Sequence, residues 1–360
     1  MTTMRLHTAL CTLLAAIGAA SASFAQNLPQ TPGPKNAITD VPGIEVGHYT
    51  VTNGSGGMTG TTAIIARGGA TAGVTQRGGA PGTRLTDLLN SQKAVGNIHA
   101  VTLSGGSAYG LAASDGVTAC LEAQGVGMPV ANGVSVPLVA SAILFDPGRC
   151  ADFTFRPDAS FGVAACQAAN NGPVKMGNVG AGAGARSGGV KGGIGTASAV
   201  LPGGLVVGAI VAINSSGRTF DPTTGAFYAG YIASSSDAMV SAAQVDPAAD
   251  GQELLRATTI AVVATNAKLT KAQANKIAQM ADDGLARAIR IAHGTGDGDT
   301  VFALATGTVT STPNLNTIGG AAADALSRAI MRAIQAADSI HVGSCNVPSY
   351  CEQFPNLCKR

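Results

Sequence analysis

The 360-residue sequence contains no tryptophan, few aromatic residues and little charge of either sign. Aromatic residues make up 4% of the chain, charged residues 12%, and the formal net charge is +2. Proteins that bind nucleic acids usually carry a basic stripe or patch, often with aromatic side chains that stack on bases. The composition therefore argues against a nucleic-acid partner. Glycine is abundant instead, with 49 residues, which favours closely packed layers over long charged surface helices.

The sequence also lacks an apolar run long enough to cross a membrane. The apolar run at residues 9–20 follows Arg5 and His7 and is succeeded by small residues that end before Gln26. This arrangement is typical of a secretory signal peptide. We therefore expect residues 1–25 to be removed and the mature protein to be periplasmic or secreted.

Histidines are few and scattered, so no Ser–His–Asp triad can be recognised, and we do not expect histidine to be the base of a hydrolase. Six cysteines follow residue 25, and an even number in an exported protein is compatible with disulfides. The pairing does not follow from the sequence. No histidine stands at ligand spacing beside these cysteines, so we expect neither a metal nor a cofactor.

The distribution of apolar residues predicts a layered α/β fold, with sheets packed between helices. Helices are predicted over residues 110–123, 270–293 and 317–337. Predicted strands are short and rich in β-branched residues, and they cover residues 44–49, 61–66, 99–103, 139–144, 204–213, 259–264 and 300–305.

Residues 177–198, GNVGAGAGARSGGVKGGIGTAS, form the densest glycine run. A dinucleotide-binding loop is not expected, because these glycines lead into more glycine and not into an amphipathic helix. Two interpretations stay open. The glycines either allow backbone to pack on backbone, or they form a loop whose N–H groups and Lys191 line an active site.

Polar residues stand at the ends of three predicted strands. Thr258 and Thr259 open the strand IAVVA, either because threonine suits strands or because one hydroxyl is a nucleophile. Asp297 and Asp299 precede another strand. They either form a turn or a partial calcium loop, or their carboxylates orient a hydroxyl or share a proton. Asn214 ends a third strand, as a turn residue or as an oxyanion donor.

Several long segments together resemble the L-aminopeptidase/D-esterase-amidase family, which includes β-peptidyl aminopeptidases and nylon-oligomer hydrolase. The resemblance runs from residue 38 to residue 334 in the family's order. The segments that carry it are ITDVPGIEVGHYT, TQRGGAPGTRLTDLL, TLSGGSAYGLAASDGV, the glycine run, TTIAVVATNAKLT and DGDTVFALATG.

This resemblance implies an αββα sandwich, similar to the N-terminal nucleophile hydrolases but with different connectivity. It also implies an inactive precursor that cuts itself before a Ser or Thr. For this chain the cut falls between Ala257 and Thr258, although relatives commonly have Asn or Gly at the position of Ala257. The products are a larger chain of residues 26–257 and a smaller chain of residues 258–360. The Cys-containing tail, residues 342–360, lies outside the resemblance.

The resemblance assigns roles to the polar residues at the strand ends. Thr258 matches the nucleophile, with Thr259 as the alternative if the register differs by one residue. Asp297 and Asp299 match the acidic or hydroxyl pair beside the nucleophile, and Asn214 matches the oxyanion or substrate-contacting Asn. Lys191 matches a substrate-contacting Lys.

We therefore expect an exported, self-processing hydrolase of N-terminal amide bonds in small peptides or related amides and esters. The resemblance further implies a homo-oligomer of cleaved pairs. Two alternatives are an acyltransferase of the ornithine acetyltransferase type and a non-catalytic periplasmic binding protein on the same scaffold.

Overall fold

The computed structural model describes residues 31–233, 237, 256–309 and 314–358. The predicted signal peptide, residues 1–25, lies outside the described residues. No helix in the described part of the chain is long and apolar enough to cross a membrane.

Strands and helices alternate irregularly along the chain. The helices are α1 (Ala113–Ala123), α2 (Ala159–Gln167), α3 (Lys271–Ala288), α4 (Leu315–Ala336) and the short α5 (Tyr350–Gln353). The strands are β1 (Glu45–Thr52), β2 (Met58–Gln76), β3 (Thr83–Arg84), β4 (Asn97–Ser104), β5 (Met128–Pro129), β6 (Ser135–Val136), β7 (Val139–Ile143), β8 (Arg186–Ser187), β9 (Val190–Lys191), β10 (Gly193–Leu201), β11 (Leu205–Asn214), β12 (Thr258–Ala267), β13 (Thr300–Val309), β14 (Ile340–Val342) and β15 (Cys345–Val347).

Strand β2 joins the two halves of the main sheet. Within the described residues, the main sheet has nine strands: eight hydrogen-bond in the order β10-β11-β12-β13-β2-β4-β7-β3, and the ninth, β1, pairs with β2. The first half of β2 pairs with β1, and its last residues pair with β13. Strands β12 and β13 are parallel, as are β4 and β7, while β11 and β12 are antiparallel. The sheet is therefore mixed.

The core residues show that these strands lie between helical layers. Ala261 and Val263 of β12 pack with α3 and α4, whereas the alternate residues Ile260 and Val262 share a core with β2 and β4. On the far side of β2, Ile65 packs with α1 and α2. Alternate side chains of a strand point to opposite faces. The order of layers is therefore helix, strand, strand, helix, which confirms the layered α/β prediction.

Helix α3 ends five residues before the predicted end. Its start is defined by a capping box, in which Thr270 accepts a hydrogen bond from the Gln273 N–H and the Gln273 side chain bonds back to the Thr270 backbone. Beyond Ala288 the backbone of Arg290 instead exchanges two hydrogen bonds with Arg218, of 2.7 and 2.8 Å. This bridge draws residues 289–293 away from the helix axis.

The strand predicted at residues 61–66 is much longer in the structure, where it forms β2 over Met58–Gln76. Strand β10 and helix α2 were not predicted. The extra part of β2 is rich in glycine, alanine and threonine, which lack the apolar alternation of a half-buried strand. It is held by pairing with neighbours on both sides. A Cβ on Gly73 would lie 2.3 Å from the backbone nitrogen of Asn275 in α3. Glycine here allows the helix to approach the strand closely.

The glycine run likewise packs backbone against backbone. Gly182 and Gly193 face each other, since a Cβ on Gly182 would lie 2.3 Å from the carbonyl carbon of Gly193. The second interpretation requires N–H groups of this run to face other candidate residues, and the Arg186 N–H donates a 3.0 Å hydrogen bond to Asn214 Oδ1. The two interpretations are therefore compatible.

The six cysteines beyond residue 25 form three disulfides in the described residues. The pairs are Cys120–Cys166, Cys150–Cys345 and Cys351–Cys358. The Cys-containing tail is folded over its described part, where Tyr350 is buried against Phe220, Phe227 and Phe354.

Candidate active site

Thr258 opens β12 at the point where the chain enters the sheet, and its hydroxyl lies on the preceding peptide. Thr258 Oγ1 donates a 2.5 Å hydrogen bond to the carbonyl oxygen of Ala257. The Gly298 N–H donates a 3.2 Å hydrogen bond to the same oxygen. The carbonyl between Ala257 and Thr258 therefore has a hydroxyl beside it and an N–H donor that polarises it.

Gly298 gives the Thr258 hydroxyl room. A Cβ at position 298 would lie 2.8 Å from Thr258 Oγ1 and 2.8 Å from the backbone oxygen of Ala80. The loop before β13 runs alongside the start of β12, with a parallel bridge between Ala257 and Asp297. A glycine between the two aspartates therefore lets this loop approach the hydroxyl.

Asp297 and Asp299 both lie beside this segment, but their partners differ. The Asp297 carboxylate accepts hydrogen bonds from Ser216 Oγ at 3.1 and 3.2 Å and from the Gly294 N–H at 3.0 Å. Burial raises the pKa of Asp297, and the nearby charge of Asp299 raises this pKa further. Among the hydrogen bonds of the described residues, neither carboxylate contacts the Thr258 hydroxyl in the uncut chain.

Asp299 holds the backbone immediately after the candidate nucleophile. Its Oδ1 accepts a 2.7 Å hydrogen bond from the Thr259 N–H. Its Oδ2 accepts the backbone N–H of His293 at 2.9 Å and lies 3.1 Å from His293 Nδ1. Asp299 thereby ties the start of β12 to the segment that follows α3.

Asn214 is the last residue of β11 and is directly opposite Thr258 in the ladder. Its Nδ2 donates to the carbonyl oxygens of Arg256, at 3.2 Å, and of Phe145, at 3.3 Å. In the uncut chain this amide therefore faces the carbonyl one residue before Ala257. The N–H group on the Ala257 oxygen belongs to Gly298, which the sequence did not single out.

Lys191 is buried within reach of the charge of Asp146, and none of its hydrogen bonds among the described residues involves the Thr258 hydroxyl. Its Nζ donates to the carbonyl oxygens of Gly182, at 3.0 Å, and Gly192, at 2.7 Å. Burial lowers the pKa of Lys191 to about 7, with a further contribution from the charge of Arg149. Burial also raises the pKa of Asp146 to about 6, against the effect of its hydrogen bonds from Gly106 and Thr59.

His293 is a site residue that the sequence did not identify. Its ring lies between two buried carboxylates, with Nδ1 3.1 Å from Asp299 and Nε2 3.3 Å from Asp282 Oδ2. Arg77 Nε lies 3.5 Å from the same Asp282 oxygen. Asp282 lies on the otherwise apolar buried face of α3. A buried ionisable residue of this kind is a signal of a functional site, and it could have pointed to Asp282 and, through their contact, to His293.

No group of three or more His, Cys, Asp or Glu side chains in the described part of the chain is arranged to hold a metal ion. The groups on the Ala257 carbonyl oxygen are a hydroxyl and an N–H donor, and the carboxylates of Asp297 and Asp299 lie beside the same segment. This set of groups is typical of acyl transfer through a hydroxyl nucleophile.

Comparison with known proteins identifies the family. The model of peptidase family S58 matches residues 36–346. The chain belongs to this family. An uncharacterized aminopeptidase of Mycobacterium leprae is 43% identical over 350 residues, which cover 89% of this chain and 95% of the relative. The 6-aminohexanoate-oligomer endohydrolase of Kocuria sp. is 30% identical over 308 residues, or 80% of each chain.

Two solved structures of aminopeptidases share the fold. A β-aminopeptidase of a Burkholderia species aligns with a TM-score of 0.66 at 25% identity, over 91% of this chain and 94% of that one. The L-aminopeptidase D-Ala-esterase/amidase of Ochrobactrum anthropi, described as a new variant of the Ntn hydrolase fold, aligns with a TM-score of 0.69 at 22% identity, over the same shares. The predicted family and fold class are thus confirmed, and this S58 protein is a hydrolase of the aminopeptidase and amidase class.

Proposed function

We propose that this S58 hydrolase processes itself between Ala257 and Thr258 and then uses Thr258 as an N-terminal nucleophile. The observation that carries the proposal is the pair of contacts on the Ala257 oxygen, one from the Thr258 hydroxyl and one from the Gly298 N–H. Thr259 has no comparable arrangement: its hydroxyl is buried without a hydrogen-bond partner in the described residues.

The cleavage has two balanced steps. Thr258 Oγ1 attacks its own preceding carbonyl through a five-membered ring, the C–N bond breaks, and the hydroxyl proton moves to the leaving nitrogen. The product is an ester between Ala257 and Thr258, with a free α-amine on Thr258. Water then opens this ester, giving a carboxylate on Ala257 and restoring the hydroxyl. The enforced proximity of hydroxyl and carbonyl favours the first step, and the Gly298 N–H stabilises the developing oxyanion.

In the mature enzyme the new α-amine lies beside the hydroxyl that it would deprotonate. An unperturbed α-amine has a pKa of about 8, which suits a general base. Asp297 and Asp299 would orient this pair, and Asn214 would bind the acyl group of the substrate. We also propose Lys191 as a substrate contact, as the family resemblance implies, although its Nζ is hydrogen-bonded to the Gly182 and Gly192 carbonyl oxygens in the uncut chain.

The proposed substrates are small peptides, amides or esters with a free amine at the acyl end. The relatives include an uncharacterized aminopeptidase and a 6-aminohexanoate-oligomer endohydrolase, which supports amide hydrolysis. We further propose export, which the three disulfides support, and a homo-oligomer of cleaved pairs.

Denaturing, reducing mass spectrometry of the purified protein tests the nucleophile. We expect a fragment that begins at Thr258 in the native protein and in Thr259→Ala, and a single uncut chain in Thr258→Ala. Thr259→Ala is a matched control because it removes a neighbouring hydroxyl from the same strand. Cleavage that persists in Thr258→Ala, or stops only in Thr259→Ala, would contradict the assignment.

A further inference from the structure

Arg149 lies at the cleavage site, although nothing in the sequence pattern assigns it a role. Its Nη2 donates a 2.9 Å hydrogen bond to the carbonyl oxygen of Arg256, which is one residue before Ala257. Its Nη1 hydrogen-bonds to Asn214 Oδ1 and to the Gly184 carbonyl at 3.4 Å. One guanidinium thus contacts both the segment to be cut and the Asn opposite the nucleophile.

Arg149 and Asn214 act on the same carbonyl. The Arg256 oxygen accepts from Arg149 Nη2 and from Asn214 Nδ2 at 3.2 Å. The planar guanidinium presents several donors in a fixed geometry. It can therefore hold Asn214 and the Arg256 peptide in one arrangement, so that the Ala257 carbonyl stays beside Thr258 Oγ1.

The next residue connects Arg149 to the far end of the chain. Cys150 is bonded to Cys345, with 5.3 Å between their Cα atoms. Cys150 belongs to the proposed larger chain and Cys345 to the smaller one. The other two disulfides in the described residues each join cysteines of the same proposed chain, Cys120–Cys166 in the larger and Cys351–Cys358 in the smaller.

Contacts next to Cys345 bring the tail against the larger chain. The Lys191 N–H donates a 2.8 Å hydrogen bond to the Pro348 carbonyl, and the Tyr350 hydroxyl donates a 2.7 Å hydrogen bond to the Gly225 carbonyl. The disulfide therefore links two segments, the tail and the larger chain, that these contacts already hold together.

We propose that Arg149 is a positioning residue for the cut at Ala257–Thr258, held in place by the Cys150–Cys345 disulfide, which also keeps the two chains covalently joined after the cut. The inference rests on the proposed self-processing. The chains of a cleaved molecule with this bond cannot separate on denaturation unless a reductant opens the disulfide.

The covalent link is tested by mass spectrometry of the denatured native protein, with and without dithiothreitol. Without reductant we expect one species, heavier than the uncut mature chain by one water molecule. With reductant we expect two chains, one of them beginning at Thr258. The variant Cys351→Ser/Cys358→Ser is the matched control, because it removes a disulfide within the smaller chain and must behave like the native protein.

The role of Arg149 is tested by the rate at which the Thr258 fragment forms during cell-free synthesis under oxidising conditions. We expect Arg149→Ala to slow this step about ten- to a hundredfold, the effect of losing a charged hydrogen bond. Added ethylguanidinium should restore part of the rate, which a purely structural defect would not allow. Arg67→Ala is the control, since Arg67 pairs with Glu45 away from the site.

The outcomes separate this inference from the proposed function. Cut chains that part without reductant, native-like processing of Arg149→Ala, or a slow Arg149→Ala that ethylguanidinium does not accelerate would overturn the inference and leave self-processing intact. A native chain that remains uncut would contradict the self-processing itself, and the role of Arg149 in it.

Discussion

His293 illustrates how a single residue connects the candidate active site to the protein interior. The ring contacts Asp299 on one side and approaches Asp282 on the other, and Arg77 is next to Asp282. Burial by itself lowers the pKa of His293, but the hydrogen bond to Asp299 and the charges of both carboxylates outweigh burial and raise this pKa. The protonated ring therefore fits this position best, as a support for Asp299.

The raised pKa of His293 predicts a pH-dependent contribution to stability. A histidine whose pKa is higher in the folded state stabilises the fold fully below its unfolded-state pKa of about 6.5, and this stabilisation is lost as the pH rises through the folded-state value. The stability difference between the native protein and His293→Gln should therefore shrink with rising pH. Urea unfolding at intervals between about pH 6 and pH 9 would measure it.

His341→Gln provides the comparison. His341 pairs with Glu352 on the surface, where both side chains are about half exposed, and such pairs contribute little because solvent screens them. A difference for His293→Gln that does not change with pH, or that grows as the pH rises, would contradict the proposed support of Asp299.

At the scale of elements, strand β10 and helix α4 show how glycine determines the layer spacing. A Cβ on Gly195 would lie 2.0 Å from the backbone oxygen of Ala329 and 2.6 Å from the backbone nitrogen of Ala333. Both atoms belong to the helix backbone, which cannot give way as a side chain can. The helix and the strand are in contact here without side chains between them.

Gly195→Ala should therefore destabilise the protein by about 1–3 kcal/mol or more, as overpacking does in tightly packed cores. Gly96→Ala is the control, because a Cβ at position 96 would meet no atom within 4 Å. Thermal or urea unfolding of both variants measures the effect. Equal stability of the two variants would show that α4 can move away from β10 at no cost.

The elements that sequence patterns predicted well are those with a clear apolar period. Helix α3 carries Ile277, Ala281 and Leu285 on its buried face, and its capping box marks its start. Strand β10 and the second half of β2 lack such a period, because helices that press on their glycines leave no room for large side chains. Their strand conformation comes from pairing with neighbours that are distant in sequence.

At the scale of the whole molecule, the disulfides differ in the length of the chain segment that each of them closes into a loop. Cys150–Cys345 spans 195 residues and Cys351–Cys358 spans 7. Loop-closure entropy grows with the length of the closed loop and gives roughly 5 kcal/mol for the first disulfide and roughly 2 kcal/mol for the second. The long-range disulfide therefore restricts the unfolded chain far more.

We predict that Cys150→Ser/Cys345→Ser destabilises the protein more than Cys351→Ser/Cys358→Ser does. The comparison belongs in the Thr258→Ala background, where the proposed cut is blocked and the loop remains closed by the polypeptide. Urea unfolding of Thr258→Ala and of the two double-serine variants in that background gives the loss in free energy of unfolding caused by each disulfide's removal. A larger loss from the Cys351–Cys358 pair would show that strain or local packing, and not loop length, governs these disulfides.

The sequence by itself determined the family, through long motifs whose residues are consecutive, and with it the layered fold and the candidates Thr258, Asp297, Asp299, Asn214 and Lys191. Local chemistry also revealed the two threonines at the start of a buried strand. Only the tertiary structure decided which cysteines pair, that Gly298 supplies the N–H on the Ala257 oxygen, and that His293 and Arg149 contact candidate site residues. These facts depend on distances between residues far apart in the chain. Such distances are set when the layers pack, and no periodicity or motif records them.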